Sequence, residues 1–336
     1  MRKMKVVFFQ RKPRKTGNFS LEFIFNDVRT RLTQKIDSVV AVSRFESTGI
    51  FKRLFNILEA SFRQGEVNHV TGDVNFLAIL LNRKKTILTI HDCYLMHVKT
   101  GLSRFIYKKL FLDWPVKRAG YITAVSEATK NEIIRFTGCP AKKITIIPSF
   151  ISKRYRPHPK KLNKEKPVLL AIGTAENKNL LRLIEAVKGL PCRLSIVGKL
   201  SEAQKKALAK NGVEYSNAYS ISDEEMKAQY HCCDIMTFPS TYEGFGMPIL
   251  EANAVGRTVL TSRVSSMPYV AGDAACLVDP FDTGSIREGI EKIIHDDNYR
   301  QGLIENGYKN TARFAPDRIA DMYYGLYQKI HQANAR

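Results

Sequence analysis

Short apolar runs bounded by turn residues alternate along this chain with longer stretches of helical period. Such runs predict strands buried on both faces, and their alternation with helices predicts parallel α/β layers. In the first half strands fit Lys5–Phe9, Ser38–Val42, Asn68–Val70, Thr86–Ile90, Tyr121–Ala124 and Ile144–Ile147. Helices there fit Phe19–Gln34, Phe51–Phe62, Phe76–Leu81, Arg104–Lys117 and Ser126–Phe136. The stretch 153–167 is basic, holds three prolines and follows neither period, so it reads as a linker. The alternation then restarts. Strands fit Val168–Ile172, Arg193–Val197, Val213–Tyr215, Ile235–Phe238, Val259–Thr261 and Ala275–Val278. Helices fit Asn179–Lys188, Glu202–Asn211, Asp223–Cys232, Pro248–Ala254, Ser285–His295, Asp297–Tyr308 and Pro316–Ala333. Two doubly wound α/β domains, 1–152 and 168–315, are expected, each binding ligands at the carboxyl ends of its strands.

The 336 residues suffice for two such domains, and 44% hydrophobic content is ordinary for a globular chain. No run approaches the roughly 18 apolar residues of a membrane-spanning helix. Val6–Phe9 is too short for a signal-peptide core and reads as a first strand. Six scattered cysteines lack metal-ligand spacing and read as reduced thiols of a cytoplasmic protein. Charge changes the picture more. Residues 1–160 hold 31 Lys and Arg against 11 Asp and Glu, a net of +20, whereas residues 161–336 hold 22 against 21, a net of +1. This asymmetry points to a polyanionic partner for the first half, or to a solvated basic surface.

The richest chemistry lies in Ser240-Thr-Tyr-Glu-Gly-Phe-Gly-Met-Pro-Ile-Leu-Glu-Ala252. An apolar strand leads in, Gly244 and Gly246 leave room for a ligand against the backbone, and Pro248 suits the first turn of a helix. Strand, glycine loop and helix N-terminus together make an anion site. Glu251 either caps the helix start or grips a ribose diol. Glu243 either sits solvated in a turn or contacts sugar hydroxyls. In Gly173-Thr-Ala-Glu-Asn-Lys178, the lysine stands at a strand-to-helix junction, as a phosphate contact or as an ordinary surface cation. His91 and Asp92 end a strand, where a cleft would lie, although a lone histidine is often structural. The basic loop Arg11–Asn18, with Gly17, is a weak phosphate-binding signal. Dinucleotide and P-loop fingerprints are absent, as are Asp-x-Asp, the Gly-x-Ser-x-Gly elbow and any nucleic-acid module.

In this order the motifs resemble retaining glycosyltransferases of family 4. Cys233-Asp-Ile, Phe-Pro-Ser-Thr-Tyr-Glu-Gly-Phe-Gly-Met-Pro-Ile-Leu-Glu-Ala, Thr-Ile-His-Asp and Thr-Ala-Val-Ser-Glu-Ala-Thr-Lys carry the likeness. The resemblance implies the GT-B fold: two Rossmann-like domains facing a cleft, with the final helix, 316–336, crossing back to the first domain. It places the acceptor in the first domain and a nucleotide-diphosphate sugar in the second, with no cofactor and no metal. It gives the ribose hydroxyls to Glu251, and the donor sugar and its phosphate to Glu243 and the backbone of Gly244, Phe245, Gly246 and Met247. It gives the leaving diphosphate to Lys178, puts Lys199 and Tyr219 near the base, and brings His91 to the sugar from the opposite domain. Thr174 and Asn177 stand where the family often carries an arginine, and Gly17 is the one glycine of a loop that often holds two.

The expected activity is therefore hexosyl transfer with retention to a glycan or lipid-linked glycan, in cell-surface polysaccharide synthesis. The rivals are a sugar-nucleotide epimerase of the same fold and a non-enzymatic polyanion- or glycan-binding protein. The basic half fits an anionic membrane surface better than nucleic acid. Phe51–Phe62 and Arg104–Phe111 interleave aromatics with cations, as interfacial helices and core-facing amphipathic helices both do.

Overall fold

The structure is a computed structural model that describes residues 2–12 and 20–335. It divides into two compact units, Met1–Phe150 with Pro316–Arg336, and Ile151–Ala315. Each unit is built on a six-stranded parallel sheet.

In the first unit the strands are β1 (Met4–Gln10), β2 (Ile36–Val42), β3 (Val67–Val70), β4 (Thr86–Ile90), β5 (Tyr121–Ala124) and β6 (Ile144–Ile146), ordered β2-β1-β3-β4-β5-β6. Side chains alternate across a strand, so an apolar run feeds two cores at once. Val7 and Phe9 of β1 enter one cluster, with Leu88, Ile90 and Leu112, while Val6 and Phe8 enter the other. The second cluster is closed by the helices Ser20–Leu32 and Pro316–Asn334, the latter through Ile319, Tyr323, Tyr327 and Ile330. Buried His69 of β3 fastens this last helix, with Nδ1 2.8 Å from the Tyr327 hydroxyl and Nε2 2.7 Å from Thr89 Oγ1.

In the second unit the strands are β7 (Val168–Ile172), β8 (Arg193–Val197), β9 (Tyr215–Ala218), β10 (Ile235–Phe238), β11 (Thr258–Ser262) and β12 (Cys276–Val278). Their order is β12-β11-β10-β7-β8-β9. The order reverses between β7 and β10, and an open α/β sheet offers its ligand crevice at the carboxyl ends of such a pair.

Several elements depart from the sequence expectation. The helix expected over Arg104–Lys117 is three pieces: Gly101–Tyr107, a π-helical turn Lys108–Asp113, and Trp114–Arg118. Pro115 cannot bond the carbonyl four residues back, and the wider turn accommodates its ring. That carbonyl, of Phe111, accepts from Asn75 Nδ2 at 2.9 Å instead. The segment expected as a helix over Phe76–Leu81 is a 3-10 turn, Asn75–Ile79. Strand β9 lies later than the expected Val213–Tyr215, because the edge position is held by polar Ser216 and Asn217. The short helices Tyr94–Val98 and Met267–Ala271 were not expected.

The stretch 153–167 has no regular element, yet it is strapped along the second unit. Asp234, almost wholly buried, accepts from Lys160 Nζ at 2.6 Å and from the Val168 amide at 2.8 Å. Arg257 Nη1 donates to the His158 carbonyl at 2.8 Å, and the His158 and His231 rings stack 4.0 Å apart.

Candidate functional site

The strongest site lies at the switch point of the second sheet. β10 ends at Phe238, and the chain turns through Glu243 into the helix Met247–Val255. Gly246 caps that helix at φ 108°, a conformation that strains any side chain. Pro248 occupies the first turn, where a missing N–H costs no helical bond. The helix therefore presents its positive end beside the crevice. Two serines that sequence reasoning missed hold the loop. Ser266 Oγ donates toward the Glu243 carbonyl at 2.9 Å and lies 2.8 Å from the Phe245 carbonyl. Ser265, itself at φ 58°, donates to the Glu243 carbonyl at 2.7 Å. Phe245 points into the interior against Phe314, so only its backbone faces the loop's outer side.

Across the switch point, β7 ends at Ile172 and is followed by Gly173 at φ 90°. A side chain at Gly173 would collide with Lys178, because a Cβ there would lie 2.9 Å from Lys178 Cγ. Lys178 thus crosses the end of β7, and its Nζ lies 2.6 Å from Glu243 Oε1 and 4.8 Å from the Phe238 ring centre. The two loops are stitched further by Thr241 N to Asn177 O at 2.8 Å and Asn177 Nδ2 to Tyr242 O at 3.0 Å. Asn177 therefore serves the loop junction.

The neighbouring strands extend the row. After β8, Gly198 stands at φ 144°, and a Cβ there would meet Thr174 Cγ2 at 2.8 Å. Thr174 Oγ1 donates to the Lys199 carbonyl at 2.7 Å, while the Lys199 side chain is exposed. Tyr219 follows β9 and is exposed. With sheet order β10-β7-β8-β9, the carboxyl ends carry Glu243, Thr174 with Lys178, Lys199 and Tyr219 in spatial succession.

Glu251 is half-buried and has partners of its own. The fully buried Tyr230 donates its hydroxyl to Glu251 Oε2 at 2.5 Å, and Tyr155 hydrogen-bonds the same carboxyl. The two tyrosine rings meet edge to face at 5.4 Å. Arg154 ion-pairs with Asp223 and donates from Nη2 to the Tyr155 hydroxyl at 3.3 Å. Loss of water pushes the Glu251 carboxyl above the usual range, against the Tyr230 hydrogen bond and the Arg154 charge. Burial likewise pushes the Tyr230 hydroxyl well up. Glu243 and Glu251 are thus committed to different partners, one to a lysine and one to tyrosines.

In the first unit His91 follows β4, and its Nε2 donates to the Thr71 carbonyl at 3.1 Å. A carbonyl only accepts, so the ring proton sits on Nε2, and burial lowers the pKa, which favours the neutral ring. Arg11, in the basic loop after β1, has its Nε 2.6 Å from Glu22 and its Nη1 2.6 Å from Asp73. Gly17 lies outside the described residues. Among the described residues no group of three or more His, Cys, Asp or Glu side chains is arranged to hold a metal ion.

The glycosyl transferases group 1 family model matches residues 154–310, and the Glycosyltransferase Family 4 model matches residues 66–154. The chain is a family 4-like glycosyltransferase. It is 29% identical over 277 residues to the O-antigen chain mannosyltransferase B of Escherichia coli, a match covering 74% of this chain and 71% of that one. It is 25% identical over 277 residues to the serotype-specific mannosyltransferase WbdA of Escherichia coli, where the match spans 34% of the relative's length. Among solved structures, HepE of Anabaena in complex with UDP and glucose superposes with a TM-score of 0.76 at 15% identity, covering 97% of this chain and 100% of that one. WaaG, a glycosyltransferase involved in lipopolysaccharide biosynthesis, gives 0.72 at 16% identity, covering 96% and 99%. These likenesses establish the GT-B fold of this glycosyltransferase. The group 1 match contains the whole switch-point row, from Thr174 to Glu251.

Proposed function

We propose that this glycosyltransferase moves a hexose, with retention of anomeric configuration, from a nucleoside-diphosphate sugar to a glycan or lipid-linked glycan acceptor in cell-surface polysaccharide assembly. The observation that carries this reading is the Lys178–Glu243 pair, 2.6 Å apart, beside the N-terminus of Met247–Val255 at the sheet's switch point. A cation and a helix dipole converging there suit the diphosphate of a sugar nucleotide. When donor binds, Lys178 turns from Glu243 toward the phosphates and stabilises charge as it develops on the leaving group. Glu243 is then released to accept hydrogen bonds from sugar hydroxyls. Glu251, presented by Tyr230, takes the ribose diol, and Lys199 and Tyr219 flank the base.

Retention follows from front-face attack: the acceptor oxygen enters on the side from which the diphosphate leaves, and a departing phosphate oxygen takes the acceptor proton. No covalent enzyme intermediate is formed, and the protein contributes positioning and charge stabilisation. Lys178 and the helix end supply the positive charge, so no metal is required. The names of the curated relatives make mannose the first sugar to test, and the basic first half fits work at an anionic membrane surface.

The test is a panel of nucleoside diphosphates and their hexose conjugates, read first by thermal shift and then by transfer with EDTA present. The expected result is one preferred base, transfer that survives EDTA, and a product with the donor's anomeric configuration by NMR. Absence of a shift with every nucleotide would overturn the proposal, and an inverted product would overturn retention.

A further inference from the structure

The helix Ile50–Phe62 is mounted inside out. Phe51, Leu54, Phe55, Leu58 and Phe62 recur at intervals of three and four residues and so share one helical face. In an ordinary surface helix that stripe faces the core. Here it faces solvent: Phe51 is 84% exposed, Phe62 87%, Leu58 53% and Leu54 50%. The face turned inward carries Arg53, Asn56, Ile57 and Ala60. Asn56 is bound there, accepting from the Phe45 amide at 3.1 Å and donating to the Phe45 carbonyl at 2.9 Å. These bonds fix the rotation of the helix, so the stripe cannot roll inward without breaking them.

A second exposed apolar face lies close by. The helix Gly101–Tyr107 buries no residue, and Leu102, Phe105 and Ile106 stand open on it. The π-helical turn that continues it places Phe111 5.2 Å from the Arg53 guanidinium, on the first helix. Exposed Lys52, Arg63 and Arg104, with partly exposed Lys99, surround the two faces.

We propose that this surface is an interfacial membrane anchor, with the Phe51–Phe62 stripe seated among the acyl chains of an anionic bilayer and the flanking cations on its headgroups. Two observations favour a lipid surface over a protein partner. Aromatic and aliphatic side chains lie in a line along a helix rimmed by Lys and Arg, as in helices that lie in the membrane plane. The surrounding half of the chain carries a net charge of +20, complementary to anionic lipid and repulsive toward a second copy of itself. The inference deepens the reading of a membrane-surface glycosyltransferase, but vesicle binding reports it independently of sugar transfer.

The experiment is flotation of the full chain with phosphatidylcholine vesicles, with and without about one-third phosphatidylglycerol. A Phe51→Ser/Leu54→Ser/Phe62→Ser variant is run alongside. Its changes lie at exposed positions, and an unchanged thermal shift with nucleotide verifies its donor-binding unit. The native chain is expected to float with anionic vesicles, and the variant to lose about 100-fold or more in partition coefficient, since each lost apolar side chain removes burial energy. Soluble transfer to a short water-soluble acceptor is expected to persist in the variant. No flotation of the native chain at low salt, or equal flotation of the variant, would overturn the proposal. A native dimer that the variant reduces to a monomer, with vesicle binding unaltered, would also overturn it and assign the stripe to a second copy.

Discussion

The hydroxyl of Tyr230 donates to Glu251 Oε2 at 2.5 Å, from a ring that has no exposed surface. The proposed ribose contact is therefore aimed by a residue that touches only protein. Tyr155, from the stretch 153–167, braces Tyr230 edge to face and shares the carboxyl. Tyr230→Phe removes the donor and leaves the ring in place. Hydrogen bonds to a charged group contribute roughly 1.5–3 kcal/mol, so nucleoside-diphosphate affinity is expected to fall by about 10-fold or more. Isothermal titration calorimetry checks this, and affinity equal to the native value would refute the aiming role.

Glu251 also carries a stability cost. Its carboxyl is held above the usual range by loss of water, so the folded state keeps the proton to higher pH than the unfolded chain does. Stability is then lost as pH rises from about 4.3 through the raised value. Glu251→Gln keeps an acceptor for Tyr230 without the charge. It is expected to raise the melting temperature at pH 7, to have little effect near pH 4, and to weaken nucleotide binding. Melting curves at the two pH values, with and without nucleotide, separate these outcomes.

Lys178→Ala removes the cation from the switch point and leaves Glu243 without its 2.6 Å partner. Loss of one group that stabilises leaving charge lowers turnover by about 100- to 1,000-fold. Lys178→Arg is expected to restore only part of this, because a planar fork does not replace a compact ammonium on the same stem. Initial-rate kinetics should place the loss mainly in kcat.

His69 predicts an acid-sensitive first unit. Burial pulls its pKa down to about 3, with neighbouring His91 adding in the same direction. The unfolded chain takes up a proton near pH 6.5 and the folded one does not. Stability is full above pH 6.5 and declines as pH falls toward 3, by about 1.4 kcal/mol per pH unit for this one proton. His69→Gln is expected to flatten the slope of melting temperature below pH 6.5, whatever its effect at neutral pH.

The parallel strands were legible to within a residue or two because burial on both faces requires continuous apolar runs, as in Thr86–Ile90 and Val168–Ile172. The edge strand β9 was misplaced because Tyr-Ser-Asn-Ala carries no such signal. Glu243, Glu251 and Lys178 were legible as residue types at strand and helix ends. Their partners were not, since Tyr230, Tyr155, Ser265 and Ser266 are joined to them by long-range contacts that no periodicity announces. The orientation of Ile50–Phe62 was equally hidden: a periodic stripe shows which residues share a face and not which way that face points.

The last helix completes the core beneath β1 and β3, although the entire second unit lies between them in the chain. A ribosome therefore delivers the second unit whole before it delivers the closing wall of the first. Until Ile319, Tyr323 and Tyr327 emerge, Val6, Phe8 and Phe25 have no cover on that side, and the nascent chain offers chaperones an apolar trough. A premature stop just before Pro316 would leave the residues of the switch point folded and abolish the half of the protein made first.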